Sequence, residues 1–448
     1  MKISLIGLGI FFISSLTLAT NNSQVLAGNA RFTVITPSLI RLEYSDKAQF
    51  VDNPSLFAID RATRFEGARI VQTPTQTTID TGYLALTYLQ DGKNFSEKNL
   101  KIIIKDPRRG EITWQPLMKN QKNLGGTARS LDDQDGPGPI GDGLLSRDGW
   151  YVLDDSKRFL IDQKWVANRP EGSGTDLYFF GYGDNYKKAL KDLTAVGGPV
   201  PMPRKYVLGS WYSRYWPYAS QDYKKIVTEY HDHGFPLDVL VMDMDWHKQD
   251  NFTGYTWDQK LFPEPENYLK WVHDQHLFAT LNDHPQGSVG PYEERYKEFM
   301  SAMGQDPSKN ETLGYNSGDE KYLKNVFKFM HEPNEKIGVD FWWLDWLGDT
   351  EYPFNDLTWA NEFYYAHSRK SGLRGQQFSR WGDWGDHRHP VHFSGDAVIS
   401  WKTLKFQVPF TTTSGNVGLF FWTHDMGGFR GLTRENSVRA SKKISSPF

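Results

Sequence analysis

The sequence of 448 residues contains no cysteine. That excludes disulfides, thiol catalysis, thiolate metal sites and a lipid-modified N-terminal cysteine. It also lacks an excess of charge: 51 Lys+Arg against 54 Asp+Glu leave a formal net charge of −3, so the basic footprint that draws proteins to nucleic acid is missing. Long apolar runs are scarce as well. The one uncharged stretch of note, Ile3 to Ala19, is marginal for the ~18 residues of a membrane-spanning helix. It follows Met1-Lys2 and leads into Thr20-Asn-Asn-Ser-Gln-Val-Leu-Ala27, with small-residue cleavage sites after Ala19 and Ala27. Residues 1–27 therefore read as a secretory signal peptide, which predicts a secreted or periplasmic protein whose contact with membranes requires that segment to stay uncleaved.

What the chain has in quantity is aromatic residues, 15% of the total with 16 Trp and 22 Tyr. Such rings build large cores, and they also pack against the C–H faces of sugars. The length calls for two domains. Over residues 28–198 short β-type runs such as Arg31-Phe-Thr-Val-Ile, Leu39–Tyr44, Leu84–Leu89 and Ile102-Ile-Ile104 predict an antiparallel β-sandwich. Within it the acidic, glycine-rich stretch Leu131–Asp142 is expected to be a surface loop, solvated in preference to the alternative that it reaches a neighbouring active site. Asp184 is the expected cap of a helix ending before Gly197-Gly198, and Pro199-Val-Pro-Met-Pro203 marks the domain junction. From residue 199 to 448 apolar runs of strand length alternate with amphipathic helical stretches, after Ser220 and near Pro265–Gln275, Asp319–Met330 and Asp356–Arg369. That texture predicts a parallel (β/α) barrel, with a small insertion at about 286–334.

Five apolar runs of the second domain finish on an aspartate: Asp243, Asp283, Asp345, Asp396 and Asp425. In a parallel β/α barrel the C-terminal strand ends converge on one face, so separate stretches deliver carboxylates to one pocket. A single such Asp is as well explained by a helix N-cap. Clustered carboxylates without cysteine suit metal-assisted hydrolysis, phosphoryl transfer on magnesium, or glycoside cleavage by a carboxylate pair. Asp243-Met-Asp-Trp-His247 is the best metal candidate, because strand alternation would put 243, 245 and 247 on one side. No second His-rich set accompanies it, and His284 and His424 beside strand ends read as hydrogen-bonded structure. Trp246, Trp342, Trp343, Trp346, Trp381 and Trp422 all lie near these termini, and indoles in that number suit a sugar better than a phosphate.

These residues resemble glycoside hydrolase family 31, the α-glucosidase and α-xylosidase family. The matches are Gly338-Val-Asp-Phe-Trp-Trp-Leu-Asp345 for the nucleophile strand, Gly395-Asp396 with Trp401 and Leu404 for the acid/base, and Asp243-Met-Asp-Trp246 for a substrate-binding motif. Arg380 in Phe378-Ser-Arg-Trp381 and Asp425-Met-Gly-Gly-Phe429 complete them. The resemblance implies a retaining α-glycoside hydrolase acting on an oligosaccharide or α-glucoside, with a β-sandwich followed by a (β/α)8 TIM-type barrel. It implies Asp345 as nucleophile, Asp396 as acid/base, and Asp243, Trp246, Trp343, Arg380, Trp381 and Asp425 as sugar contacts, with no metal and no cofactor. An α-xylosidase, a non-catalytic carbohydrate-binding remnant and a metal-dependent hydrolase are the alternatives.

The sequence departs from the pattern after Phe429. Arg430 to Phe448 is polar and basic, with no apolar run to close a barrel, and seven strands are expected, beginning near Tyr206, Val239, Ala279, Phe341, Gln376, His392 and Leu419. An incomplete barrel, from a truncated or frameshifted gene, is therefore expected.

Overall fold

The computed structural model describes residues 18–20, 23–61, 65–248, 252–287, 289–347, 354, 356–369, 372–426 and 428–431. Most of residues 1–27, expected to be a signal peptide, and the polar tail beyond Gly431 lie outside the described residues.

Two antiparallel sheets form the N-terminal part. One has six strands in the order Leu18–Thr20, Arg69–Gln72, Gln76–Asp80, Leu84–Leu89, Leu100–Asp106 and Gly110–Trp114. The other has five, in the order Trp150–Asp154, Thr175–Gly181, Leu39–Tyr44, Ala30–Thr36 and Gln24–Ala27. Strand Leu84–Leu89 buries alternate residues, the period-2 signature of a sheet covered on one face. Phe32, Leu86, Ile102, Ile104, Trp114 and Phe179 fill the space between the sheets. Strand Leu39–Tyr44 is buried along its whole length, because its second face carries an ion network. There Arg41 holds Asp176 through two bonds of 2.8 and 2.9 Å, and Arg61 and Arg169 join Asp176 to Asp155.

A helix, Tyr186–Gly197, ends this part. Its cap is Asn185, which accepts from the Lys188 N–H, in place of the expected Asp184; the Asp184 side chain instead pairs with Arg109. Seven parallel strands follow in sequential order: Trp211–Tyr212, Val239–Met242, Phe278–Asp283, Phe341–Leu344, Phe378–Ser379, His392–Phe393 and Trp422–Thr423. The first begins later than expected, since Lys205–Leu208 is a 3₁₀ turn, and the last begins at Trp422 in place of Leu419. Among the described residues the sheet stops at the seventh strand and nothing closes it onto the first. The material between the third and fourth strands holds a helix at Tyr296–Met303 and then a continuous helical run, Glu320–Ile337, widened to a π-turn at Phe327–His331. Among the described residues no helix is long and apolar enough to cross a membrane.

Pleat parity sorts the barrel side chains. Val239, Val241, Phe278, Phe341 and Trp343 point inward with Phe378 and Phe393, while Leu240, Met242, Ala279, Leu281, Trp342 and Leu344 face the helices.

Candidate active site

The inward parity carries the ends of three strands into one pocket. Asp243 continues the Val239, Val241 row, Asn282 the Phe278, Thr280 row, and Asp345 the Phe341, Trp343 row. The register sets Asn282 opposite Trp343 and Asp283 opposite Leu344. Asp283, expected among the clustered carboxylates, therefore turns the other way. Its Oδ2 accepts from the Tyr364 hydroxyl at 2.6 Å and lies 2.9 Å from His331 Nε2, in the layer of helices. The strand end contributes Asn282 instead, whose amide donates to Asp243 Oδ1 at 2.8 Å and to Asp345 Oδ2 at 3.1 Å.

Asp345 is buried beneath Arg380. The guanidinium Nε and Nη2 reach its Oδ1 at 3.2 and 2.9 Å, and Nε also donates to its backbone carbonyl at 2.8 Å. His284 Nε2 lies 3.3 Å from Oδ2. Burial alone would raise the Asp345 pKa, but the Arg380 charge and the hydrogen bonds from His284 and Asn282 outweigh it and hold the carboxyl well below the usual carboxylate range. Asp396 receives a second bond from Arg380 Nη2, at 3.2 Å. Burial, then the charge of Asp345, push its pKa up to about 6 against the opposing charge of Arg380. Asp243 is pushed up to about 7 by burial and by Asp345. Asp425 is pushed up to about 8 by burial and by the charges of Asp396 and Asp345. The pocket thus separates one ionised carboxyl from three that hold protons more tightly.

The stretch Leu131–Asp142 is the exposed loop expected over Pro139–Asp142, but not at its start. Its first residues run alongside the segment carrying Asp396: Leu131 N–H donates to Ser394 O at 2.7 Å, Asp133 N–H to Asp396 O at 3.1 Å, and Val398 N–H to Gln134 O at 3.1 Å. Asp132 Oδ1 accepts from Arg380 Nη1 at 2.8 Å and from the Asp396 N–H at 2.6 Å. The buried Leu131 packs on Ala397 and Phe410. Composition marks such a segment as turn-rich, and partners more than 250 residues away are invisible to it.

The tryptophans divide. Trp246, expected to touch sugar, is 1% exposed and belongs to the core under the helices, its indole N–H donating to Asn282 O at 2.8 Å. The cause is local: after Asp243 the backbone enters a 3₁₀ turn, Met244–Trp246, that swings the indole beneath the third strand. The same turn ends the alternation on which 243, 245 and 247 would have shared a side, and His247 Nδ1 bonds Lys248 O. Among the described residues no group of three His, Asp or Glu side chains is arranged to hold a metal ion. Trp343 stands in the barrel interior against Phe378 and Phe393, and Trp381 packs into the core shared with the sandwich. Trp346, placed near the strand ends from sequence, is flanked by two cations, Arg129 at 4.9 Å and Arg380 at 5.1 Å. Asn282, His284, Asp132 and Arg430, whose guanidinium lies 3.4 Å from Asp396 Oδ2, are site residues that sequence reasoning did not assign.

Residues 200–442 match the family described as glycosyl hydrolases family 31 TIM-barrel domain. An α-xylosidase of Saccharolobus solfataricus is 25% identical over 281 residues, covering 56% of this chain and 37% of that protein. A probable glucan 1,3-α-glucosidase of Arabidopsis thaliana is 24% identical over 313 residues, covering 60% and 33%. The chain thus spans about a third of the length of these curated relatives. The fold is shared with the Flavobacterium johnsoniae GH31 dextranase solved with isomaltotriose, with a TM-score of 0.70 at 16% identity, covering 96% of this chain and 62% of that one.

Proposed function

The chain belongs to glycosyl hydrolases family 31, and from that premise we propose that it is a retaining α-glycoside hydrolase releasing terminal α-linked glucose-type residues from oligosaccharides. Asp345 is the nucleophile and Asp396 the acid/base. The observation that carries this reading is the single nitrogen, Arg380 Nη2, that touches both carboxyls, at 2.9 and 3.2 Å. Two oxygens on one donor are closer together than both bonds laid end to end, below the roughly 6.5–9.5 Å that an inverting pair keeps open for its water. The electrostatics support the same division of labour. A nucleophile must be ionised and an acid must start protonated, and the two pKa values are driven apart in that sense.

In the first step Asp345 Oδ attacks the anomeric carbon, and the glycosidic oxygen leaves with the Asp396 proton. In the second, Asp396 takes a proton from water, whose oxygen displaces Asp345 from the same carbon. Asp243, held by Asn282, faces the pocket as an acceptor for sugar hydroxyls. The relatives named above include an α-xylosidase as well as a probable glucan 1,3-α-glucosidase, so an α-xylosidase is the second reading. Parallel turnover of p-nitrophenyl α-glucoside and α-xyloside by purified protein tests both. Sugar binding without turnover of either would replace them with a non-catalytic reading.

Export by the N-terminal segment is part of this proposal. Strand Gln24–Ala27 is paired in the sandwich with a fully buried Ala27, which counts against processing after Ala27, while processing after Ala19 would cut within the paired strand Leu18–Thr20. N-terminal sequencing of the exported protein checks it.

A further inference from the structure

The acid/base sits on a weakly supported piece of the barrel. Its strand is two residues long, His392–Phe393, and pairs through a single register position with the strand before it. The segment Ser394–Val398 beyond it is held by the sandwich loop, through the three backbone bonds described above, and by Phe429 and Arg430, whose N–H groups both donate to Ala397 O at 2.8 and 2.9 Å. The loop is itself pinned to the helix that follows: Gly136 N–H donates to Thr403 Oγ1 at 3.0 Å, and the Ser400 hydroxyl to Asp135 Oδ1 at 2.5 Å. At the centre lies Asp132. One of its oxygens receives both the Asp396 N–H and Arg380 Nη1, while Arg380 Nη1 also donates to Ser130 Oγ at 2.5 Å. The contact is so close that a Cβ on Gly395 would stand 2.2 Å from Arg380 Nη1, 2.2 Å from Ser130 Oγ and 2.7 Å from Asp132 Oδ1.

We propose that Asp132, supplied by the sandwich domain, is a positioning residue for the acid/base: it grips Asp396 by its backbone N–H and competes with it for the Arg380 cation. This rests on the assignment of Asp396 given above. Arg380 is shared among Asp345, Asp132 and Asp396. A negative charge at Asp132 draws that cation away from Asp396 and adds its own repulsion, so both effects favour the protonated acid. The other charged and titratable groups around Asp396 are Asp345 (which shares Arg380), Arg430 (which also lies 3.5 Å from Asp133 Oδ1 on the loop), Asp425 and Asp243, and a substitution at position 132 leaves each of these side chains in place.

The test compares wild type, Asp132→Asn and Asp132→Ala in the full chain by kcat/KM against pH and by thermal melting. Asparagine keeps an oxygen for the Asp396 N–H and removes the charge. It should move the alkaline limb to lower pH by roughly half a unit to one unit. Alanine also releases the backbone and should lower kcat by about 10- to 100-fold. A loop that is merely structural would lower the melting temperature and leave the limb where it is. If wild type turns over and the Asp132→Asn limb coincides with it, the inference is overturned. If wild type turns over no glycoside, the proposed activity fails separately. The inference is then read from the Asp396 carboxyl titration, followed by ¹³C NMR of aspartate-labelled protein with Asp396→Asn as assignment. A lower titration midpoint in Asp132→Asn supports it, and an unchanged one overturns it.

Discussion

Arg380 lies on Asp345 through two nitrogens, with Nε and Nη2 at 3.2 and 2.9 Å from the same oxygen, Oδ1. A carboxylate held this way stays ionised in a pocket that otherwise disfavours charge, because the fixed, charge-assisted bonds outweigh the loss of water. Among the described residues the other oxygen, Oδ2, meets the amide of Asn282 and the ring of His284.

Replacing the proposed nucleophile should abolish chemistry without unfolding the protein. Asp345→Ala is expected to lower kcat by about 10⁴-fold or more and to leave the circular dichroism spectrum unchanged. Wild-type turnover by that variant would remove Asp345 from the mechanism.

Loss of the acid should depend on the leaving group. Asp396→Ala is expected to slow maltose by about 10²- to 10⁴-fold and an activated aryl glycoside far less at the glycosylation step. Single-turnover rates on the two substrates read the difference, and equal losses would argue against an acid role.

The pH profile follows from the two shifted carboxyls. Asp396 works protonated with a pKa pushed up to about 6, so kcat/KM is present below that value and is lost as pH rises through it. Asp345 works ionised with its pKa held down, so activity persists as pH falls through the usual carboxylate range. A profile of kcat/KM from pH 3 to 9 should therefore fall on its alkaline side near 6, and an enzyme at full kcat/KM at pH 8 would contradict the assignment.

A side chain at Gly395 should undock the sandwich loop. The residue sits at φ +83° and faces Arg380 and Ser130 directly. Gly395→Ala is expected to cost about 1–3 kcal/mol and to expose Leu131–Asp142 to limited proteolysis, whereas native resistance there would mean that the loop is held elsewhere.

The ion network in the sandwich predicts a stability effect remote from the pocket. Arg41→Ala leaves Asp176 buried with one partner fewer and should cost about 3–5 kcal/mol in urea unfolding. A change below 1 kcal/mol would show that Arg61 and Arg169 compensate.

The sequence by itself determined the order and kind of the elements. Runs such as Leu39–Tyr44 and Leu84–Leu89 fold as strands over the same residues that their composition marks, because apolar periodicity is a local property. It also determined that Asp243 and Asp345 stand at strand ends, since a polar residue closing an apolar run is legible in one dimension. Only the tertiary structure decided which way each faces. Asn282 and Asp283 are neighbours of nearly equal size, and register alone turns the amide inward and the carboxylate out to Tyr364. Likewise the turn at Met244–Trp246 buries an indole that its position near a strand end offered to the sugar. The sandwich loop is the largest such decision: its acidic, glycine-rich composition matches a solvated loop, and only the fold of both domains sets Asp132 against Arg380 and Asp396.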